Sequence, residues 1–159
     1  MNELHHVYLS LGSNIEPETY LPKAIQNLRD YGEVKAISTV WESNAVGSDG
    51  PNFLNACVLF LSHLQPVELK EKIIRPIEAG LGRIRYADKN APRTIDIDIV
   101  LFDETPLNME FWGYAFVAVP LAELIPGFEH PIRHEKLIRV AEQLQSQVWI
   151  VKREDVVIS

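Results

Sequence analysis

Thr94-Ile95-Asp96-Ile97-Asp98-Ile99-Val100-Leu101-Phe102 is the stretch on which the reading of the whole chain turns. Isoleucine alternates with aspartate and the segment then closes on an apolar end, which predicts a β-strand over 94–102. Side chains at i and i+2 leave a strand on the same face, roughly 7 Å apart at the backbone. Asp96 and Asp98 therefore share one side, while Ile95, Ile97 and Ile99 point the other way, into a core. Aspartate is a poor strand former, so two of them inside so strong a strand need a reason. Neighbouring carboxylates on a rigid strand repel each other unless a cation lies between them. Magnesium typically takes one or two carboxylates plus phosphate oxygens. Asp96 and Asp98 are thus candidate metal ligands, and an acidic, solvated strand face is the plainer alternative.

Just before this strand the charge reverses. Gly82 to Pro92 reads as a polar loop, and Arg83, Arg85, Lys89 and Arg93 fall within eleven residues of a chain whose formal net charge is −7. Arginine grips phosphate oxygens bidentately and lysine adds a point charge. A general nucleic-acid binder carries a broad basic face, because phosphate neutralisation supplies most of its affinity. A compact basic cluster on an acidic background suits one small polyphosphate instead. Phosphoryl and pyrophosphoryl transfer asks the protein mainly for alignment and charge neutralisation, which a carboxylate pair and three arginines can supply.

The rest of the 159-residue chain fits one compact domain, 1–159, with an ordinary apolar fraction of 47%. No apolar run approaches the roughly 20 residues of a membrane span, and the N-terminus lacks the pattern of a secretory signal. Cys57, the only cysteine, lies in an apolar run and reads as a buried core thiol. Together these point to the cytoplasm. Strands are expected over His6–Leu11, Glu33–Trp41, Phe53–Ser62 and 148–152. Helices are expected over Pro17–Tyr31, Pro66–Leu81 (bent at Pro76), Leu121–Leu124 and Glu135–Leu144, and Glu42–Asn52 is a loop. The order β-α-β, β-α-β predicts an α+β fold of the ferredoxin-like split βαβ kind: an antiparallel sheet with helices packed against one face.

Gly82 to Phe102, GRIRYADKNAPRTIDIDIVLF, closely resembles the signature of 6-hydroxymethyl-7,8-dihydropterin pyrophosphokinase, a folate-biosynthesis enzyme family. Leu11-Gly12-Ser13-Asn14 resembles its first strand and turn. Trp41 to Gly47 with Pro51 to Ala56 resembles its pterin-binding loop and strand, and Val119 to Pro126 its late helix. The resemblance implies an ATP-dependent pyrophosphokinase that gives AMP, with two magnesium ions held by Asp96 and Asp98. It implies phosphate contacts from Arg83, Arg85 and Arg93, of which Arg83 and Arg93 act catalytically, and a nucleotide site near Arg75, Glu78 and Ile99. Asn55 would hydrogen-bond the pterin, Phe53 and Phe116 would wall it, and Ser43, Ala45 and Val46 would read its edge. For Phe53 and Phe116 the alternative is core packing; for Asn55 it is a structural hydrogen bond. ATP and a pterin are the partners implied, with no nucleic acid, membrane or obligate protein partner.

The chain departs from the family pattern twice. Asn90-Ala91 stands where a Trp-Gly pair is usual, and Glu104 to Phe116 is shorter than its family counterpart. That segment lacks a histidine, and Tyr114 lies near the place of an expected arginine. His130-Pro131 matches a later family segment. A diverged relative that binds pterin or nucleotide with little catalysis, or that uses another acceptor, is the second reading these departures raise. A ferredoxin-like RNA-binding module is a third, and the acidic net charge argues against it.

Overall fold

The computed structural model describes residues 3–47 and 49–158; Met1, Asn2 and Ser159, and Ser48 of the loop expected over 42–52, lie outside them. At its centre β1 (His5–Ser13) runs antiparallel to both β4 (Phe53–Ser62) and β5 (Asp96–Phe102). The sheet has seven strands in the order β6-β5-β1-β4-β3-β7, with β2 (Glu33–Ile37) also paired to β4. β3 is Trp41–Ser43, β6 is Thr105–Pro106 and β7 is Ile150–Lys152, and every pairing is antiparallel. The class is α+β.

Both faces of the sheet are covered, which corrects the one-face expectation. On one side Val7, Leu9, Leu11, Leu54, Ala56, Val58 and Phe60, with Ile95, Ile97 and Ile99 of β5, meet α1 (Pro17–Arg29) and the helical stretch from Pro66 to Gly80. On the other, Trp41, Cys57, Val100 and Leu101 pack under α4 (Ala115–Leu124) and α5 (Leu137–Gln147). β4 contributes to both because it is central and, apart from Asn55 and Ser62, apolar, so alternate residues feed two cores.

Local differences from the sequence expectations have simple causes. The strand expected over 33–41 splits in two, because the Ser38 hydroxyl accepts from the Cys57 amide and donates to the Thr39 carbonyl. The stretch from Pro66 is α2 (Pro66–Leu69), one π turn (Lys70–Ile74) and α3 (Arg75–Gly80). Pro76 has no N–H and its ring crowds the preceding turn, and the wider π turn just before it gives the ring room. α4 begins six residues earlier than Leu121, since a helix buried on nearly all sides has no polar face to betray its period.

Gly32, between α1 and β2, sits so close to the sheet that a Cβ there would lie 2.8 Å from the Phe60 ring and 2.8 Å from the Leu61 carbonyl. Phe60 itself is fully buried. Phe60→Ala is expected to cost about 3–5 kcal/mol in urea unfolding; a loss below about 1 kcal/mol would show that the core collapses onto the cavity without strain.

Candidate active site

Cross-strand register builds the site from the backbone outward. Asp98 pairs with Ser10 and Asp96 with Gly12, and on the far side of β1 Ser10 pairs with Cys57 and Gly12 with Asn55. One row across the sheet therefore reads Asp96, Gly12, Asn55, at strand spacings of about 4.8 Å. Gly12 is the gap in that row. A Cβ there would lie 3.3 Å from Asn55 Oδ1 and 3.4 Å from the Phe53 ring, so any side chain would fill the space between the acid and the amide. Toward the other end the same face turns apolar and disappears under α4. The boundary between the two is a cleft of about 400 Å³.

Of the residues expected in a site, the cleft brings together Asp96, Asp98, Arg93, Ser43, Val46, Phe53, Asn55 and Phe116. Asn55 is buried, and its Nδ2 donates to Ser43 Oγ (2.8 Å) and to the Trp41 carbonyl (3.2 Å). Both amide protons are thus committed to β3, leaving Oδ1 as an acceptor beside Gly12. Arg93 lies with its guanidinium 6.0 Å from the Phe53 ring centroid and 3.5 Å from Asp96, and it donates to the carbonyls of Lys89 and Ala91.

Arg83, Arg85 and Glu78 stand outside the cleft lining and form a network behind it. Glu78 is buried and accepts from Arg83 (2.7 Å), Arg85 (2.8 Å) and the Ile97 amide (3.0 Å). Arg83 also reaches Asp96 at 2.8 Å. Burial pushes the Glu78 carboxyl up, and Asp96 adds to that, against the pull of Arg83, Arg85 and the Ile97 amide. Arg75 is exposed on α3, Ala45 is outside the lining, and Ile99 is in the opposite core.

Asp98 is the most perturbed group of the dyad. Burial, then the charges of Asp96 and Glu78, push its pKa up to about 7, with Arg83 opposing. The residues fit a divalent cation: two half-buried carboxylates share a face, and burial, then the neighbouring acids, hold the proton on one of them toward neutrality. Arg83 Nε adds a buried donor with no partner among the described residues, beside the same carboxylates, as an incoming oxygen would require. No group of three or more His, Cys, Asp or Glu side chains gathers as a metal cluster among the described residues. A cation held by this pair would therefore complete its shell with phosphate oxygens and water.

Several lining residues escaped the sequence. Ser10 and Gly12 were legible only as strand and turn. Glu110 and Phe111 arrive on a short 3-10 turn, Met109–Gly113, and Tyr114 follows it at the head of α4. Tyr114 stacks on Phe116 at 5.0 Å and 15°, so an aromatic ring stands where an arginine was looked for. His130 does not line the cleft; it is buried against the Trp112 carbonyl (2.6 Å) behind the wall. Asn90, in place of tryptophan, donates to the Gly47 carbonyl (3.3 Å) and ties the two loops over the cleft. Asn14 ties them from below, with its amide N–H on the Arg93 carbonyl, its Oδ1 on the Arg93 amide and its Nδ2 on the Pro51 carbonyl.

A family model described as 7,8-dihydro-6-hydroxymethylpterin-pyrophosphokinase (HPPK) matches residues 8–126. The chain is 37% identical over 141 residues to the 2-amino-4-hydroxy-6-hydroxymethyldihydropteridine pyrophosphokinase of Aquifex aeolicus, covering 82% of this chain and 87% of that one. It is also 37% identical over 134 residues to the protein of the same name from Bacillus subtilis, covering 77% and 79%. The crystal structure of Plasmodium falciparum HPPK-DHPS with pteroate superposes with a TM-score of 0.71 at 11% identity, over 92% of this chain and 43% of the longer one. That last likeness is one of fold.

The raised Asp98 pKa has a consequence for stability. Between about pH 4 and about pH 7 the unfolded chain releases this proton while the folded chain keeps it, so stability falls as pH rises through that window. Asn cannot ionise. In metal-free protein Asp98→Asn should match the parent near pH 4 and exceed it at pH 8 by on the order of 4 kcal/mol. Urea unfolding at both pH values checks this, and equal stability at pH 8 contradicts it.

Proposed function

The chain belongs to the 7,8-dihydro-6-hydroxymethylpterin-pyrophosphokinase family, and from that premise we propose that it transfers pyrophosphate from ATP to the hydroxymethyl group of 6-hydroxymethyl-7,8-dihydropterin, releasing AMP. The observation that carries the reading is the row Asp96, Gly12, Asn55. It puts the Asp96 carboxylate and the Asn55 amide on one sheet face with open space at Gly12 between them, which supports a cation at the first, a heterocycle at the second and the reacting groups in between.

In this reading the pterin ring lies flat between Phe53 and Phe116, and its edge donates to Asn55 Oδ1. The ring plane meets aromatic faces, while in-plane groups fix its orientation. The acceptor hydroxyl then points along the row toward Asp96. Attack of that oxygen on the β-phosphorus forms the new O–P bond as the bond from that phosphorus to the α-phosphate oxygen breaks; AMP leaves with the displaced electron pair, and the hydroxyl proton passes to water at the cleft mouth. Arg93 is the arginine within reach of those phosphates. Arg83 has Nε free but its terminal nitrogen engaged by Glu78 and Asp96. Asp96 and Asp98 would hold two magnesium ions, which when bound neutralise phosphate charge and keep the oxygens in line. No histidine lines the cleft, so alignment and charge neutralisation rather than histidine base catalysis supply the rate. Burial pushes the Cys57 thiol up and its sulfur rests on the Val117 carbonyl, so it takes no part. The cytoplasm, where ATP is at hand, is the setting this chemistry calls for.

An assay for AMP with ATP, magnesium and 6-hydroxymethyl-7,8-dihydropterin should show pyrophosphoryl transfer. Asp96→Ala and Asp98→Ala should each lower turnover at least about a thousandfold, and Arg93→Ala about a hundredfold, with the fold kept by circular dichroism. Wild-type turnover in both aspartate variants would remove the mechanism. Pterin and nucleotide binding without AMP formation would favour a binding-only relative.

A further inference from the structure

The segment Met109–Gly113 carries part of the cleft wall yet has little to hold it by itself. It is a single 3-10 turn, a geometry with poor hydrogen bonds that seldom persists alone. Met109, Glu110 and Gly113 are exposed, and only Trp112 is buried. Trp112 anchors the turn in two directions. Its indole N–H donates to the carbonyls of Val100 and Leu107, both at 3.1 Å, and Val100 lies two residues beyond Asp98 on β5. Its own carbonyl oxygen lies 2.6 Å from His130 Nε2.

His130 is 1% exposed, and its orientation is fixed on every side. Nδ1 accepts the amide N–H groups of Ile132 (3.2 Å) and Arg133 (3.1 Å). A ring nitrogen that accepts two N–H groups carries no proton, which assigns the proton to Nε2 and makes that nitrogen the donor to Trp112. The imidazole also meets the indole edge-on, with centroids 5.8 Å apart at 84°. The His130 backbone is itself tied, its amide to the Glu135 carbonyl (2.8 Å) and its carbonyl to the His134 amide (2.9 Å). A preset donor thus grips the one carbonyl at the root of the turn.

We propose that His130 is a positioning residue for the acceptor ring: through the Trp112 carbonyl it sets where Phe111, Tyr114 and Phe116 stand relative to the Asp96–Asp98 strand. The three rings form one connected wall, Phe111 to Tyr114 at 6.3 Å and Tyr114 to Phe116 at 5.0 Å. The wall continues into α4 through the bonds of the Val117 and Ala118 amides to the Tyr114 carbonyl. His130 touches neither the cleft nor a substrate, so its effect is on ring placement and not on chemistry. The inference rests on the pterin reading of that wall, and two readouts separate the two claims.

Glutamine can place an N–H where Nε2 stands, whereas asparagine reaches only the place of Nδ1. Hydrogen exchange on the ligand-free protein reads the clasp. His130→Asn should speed exchange of the Tyr114, Val117 and Ala118 amides about tenfold, as loss of one buried hydrogen bond implies, with β1 and β4 amides unchanged. His130→Gln should stay within about twofold of the parent. Titration then reads the consequence: the asparagine variant binds 6-hydroxymethyl-7,8-dihydropterin about tenfold more weakly, and binds a non-hydrolysable magnesium–ATP analogue as the parent does. Exchange in the asparagine variant equal to the parent, or identical behaviour of the two variants, would overturn the proposal. Exchange as expected in a parent that binds no pterin would uphold the clasp and overturn the acceptor reading.

Discussion

Two carboxylates on one face of a central strand, in a half-buried cleft, cannot both hold full charge without positive charge nearby. That constraint organises the site. Arg83 supplies part of the compensation to Asp96, but Glu78 draws on the same guanidinium from behind. Among the described residues Asp98 forms no ion pair, and burial with its acid neighbours keeps its proton on toward neutrality against the pull of Arg83. A buried acid network of this kind is weak evidence for stability, since desolvation offsets the attraction. Its presence on a strand whose other face is packed in the core makes sense as a binding device whose missing charge arrives with the substrate.

The fold meets that constraint with small residues and ties. Gly12 and Ser10 leave the sheet face open beside the acids. Asn14, just past the end of the same strand, fixes the end of the basic stretch, at Arg93, to the loop from β3, while Asn90 joins those loops from above. α4 closes the far side, and Trp112 couples its leading turn to β5. In the proposed reading, opposite edges of one short row would serve the two substrates: the phosphate side by β5 and the loop before it, the ring side by β3, β4 and the wall leading into α4.

Strong patterns were legible in the sequence and shared patterns were not. The apolar run Phe53–Ser62 gave β4 to the residue, and alternation put Asp96 and Asp98 on one face and their isoleucines on the other, as the core shows. The break between β2 and β3 was hidden because alternation continues through Ser38 and Thr39, and the hydroxyl that interrupts it acts across strands. The start of α4 was hidden because burial on all sides erases periodicity. Arg83 was expected at the phosphates and Glu78 near the nucleotide, but their pairing with each other was not legible. Only the turn at Gly82, with its positive φ, folds the arginine back onto the acid. The wall residues Phe111 and Tyr114 depend on a long-range brace, Trp112 to Val100 and His130, that no local window contains.

The most direct test is a crystal of the protein grown with manganese, a non-hydrolysable ATP analogue and the pterin, read by anomalous scattering. The account predicts manganese peaks bound by both Asp96 and Asp98, with the phosphate chain between them and Arg93 and the pterin against Asn55. Manganese located away from that pair, or triphosphate bound without contact to it, would contradict the account.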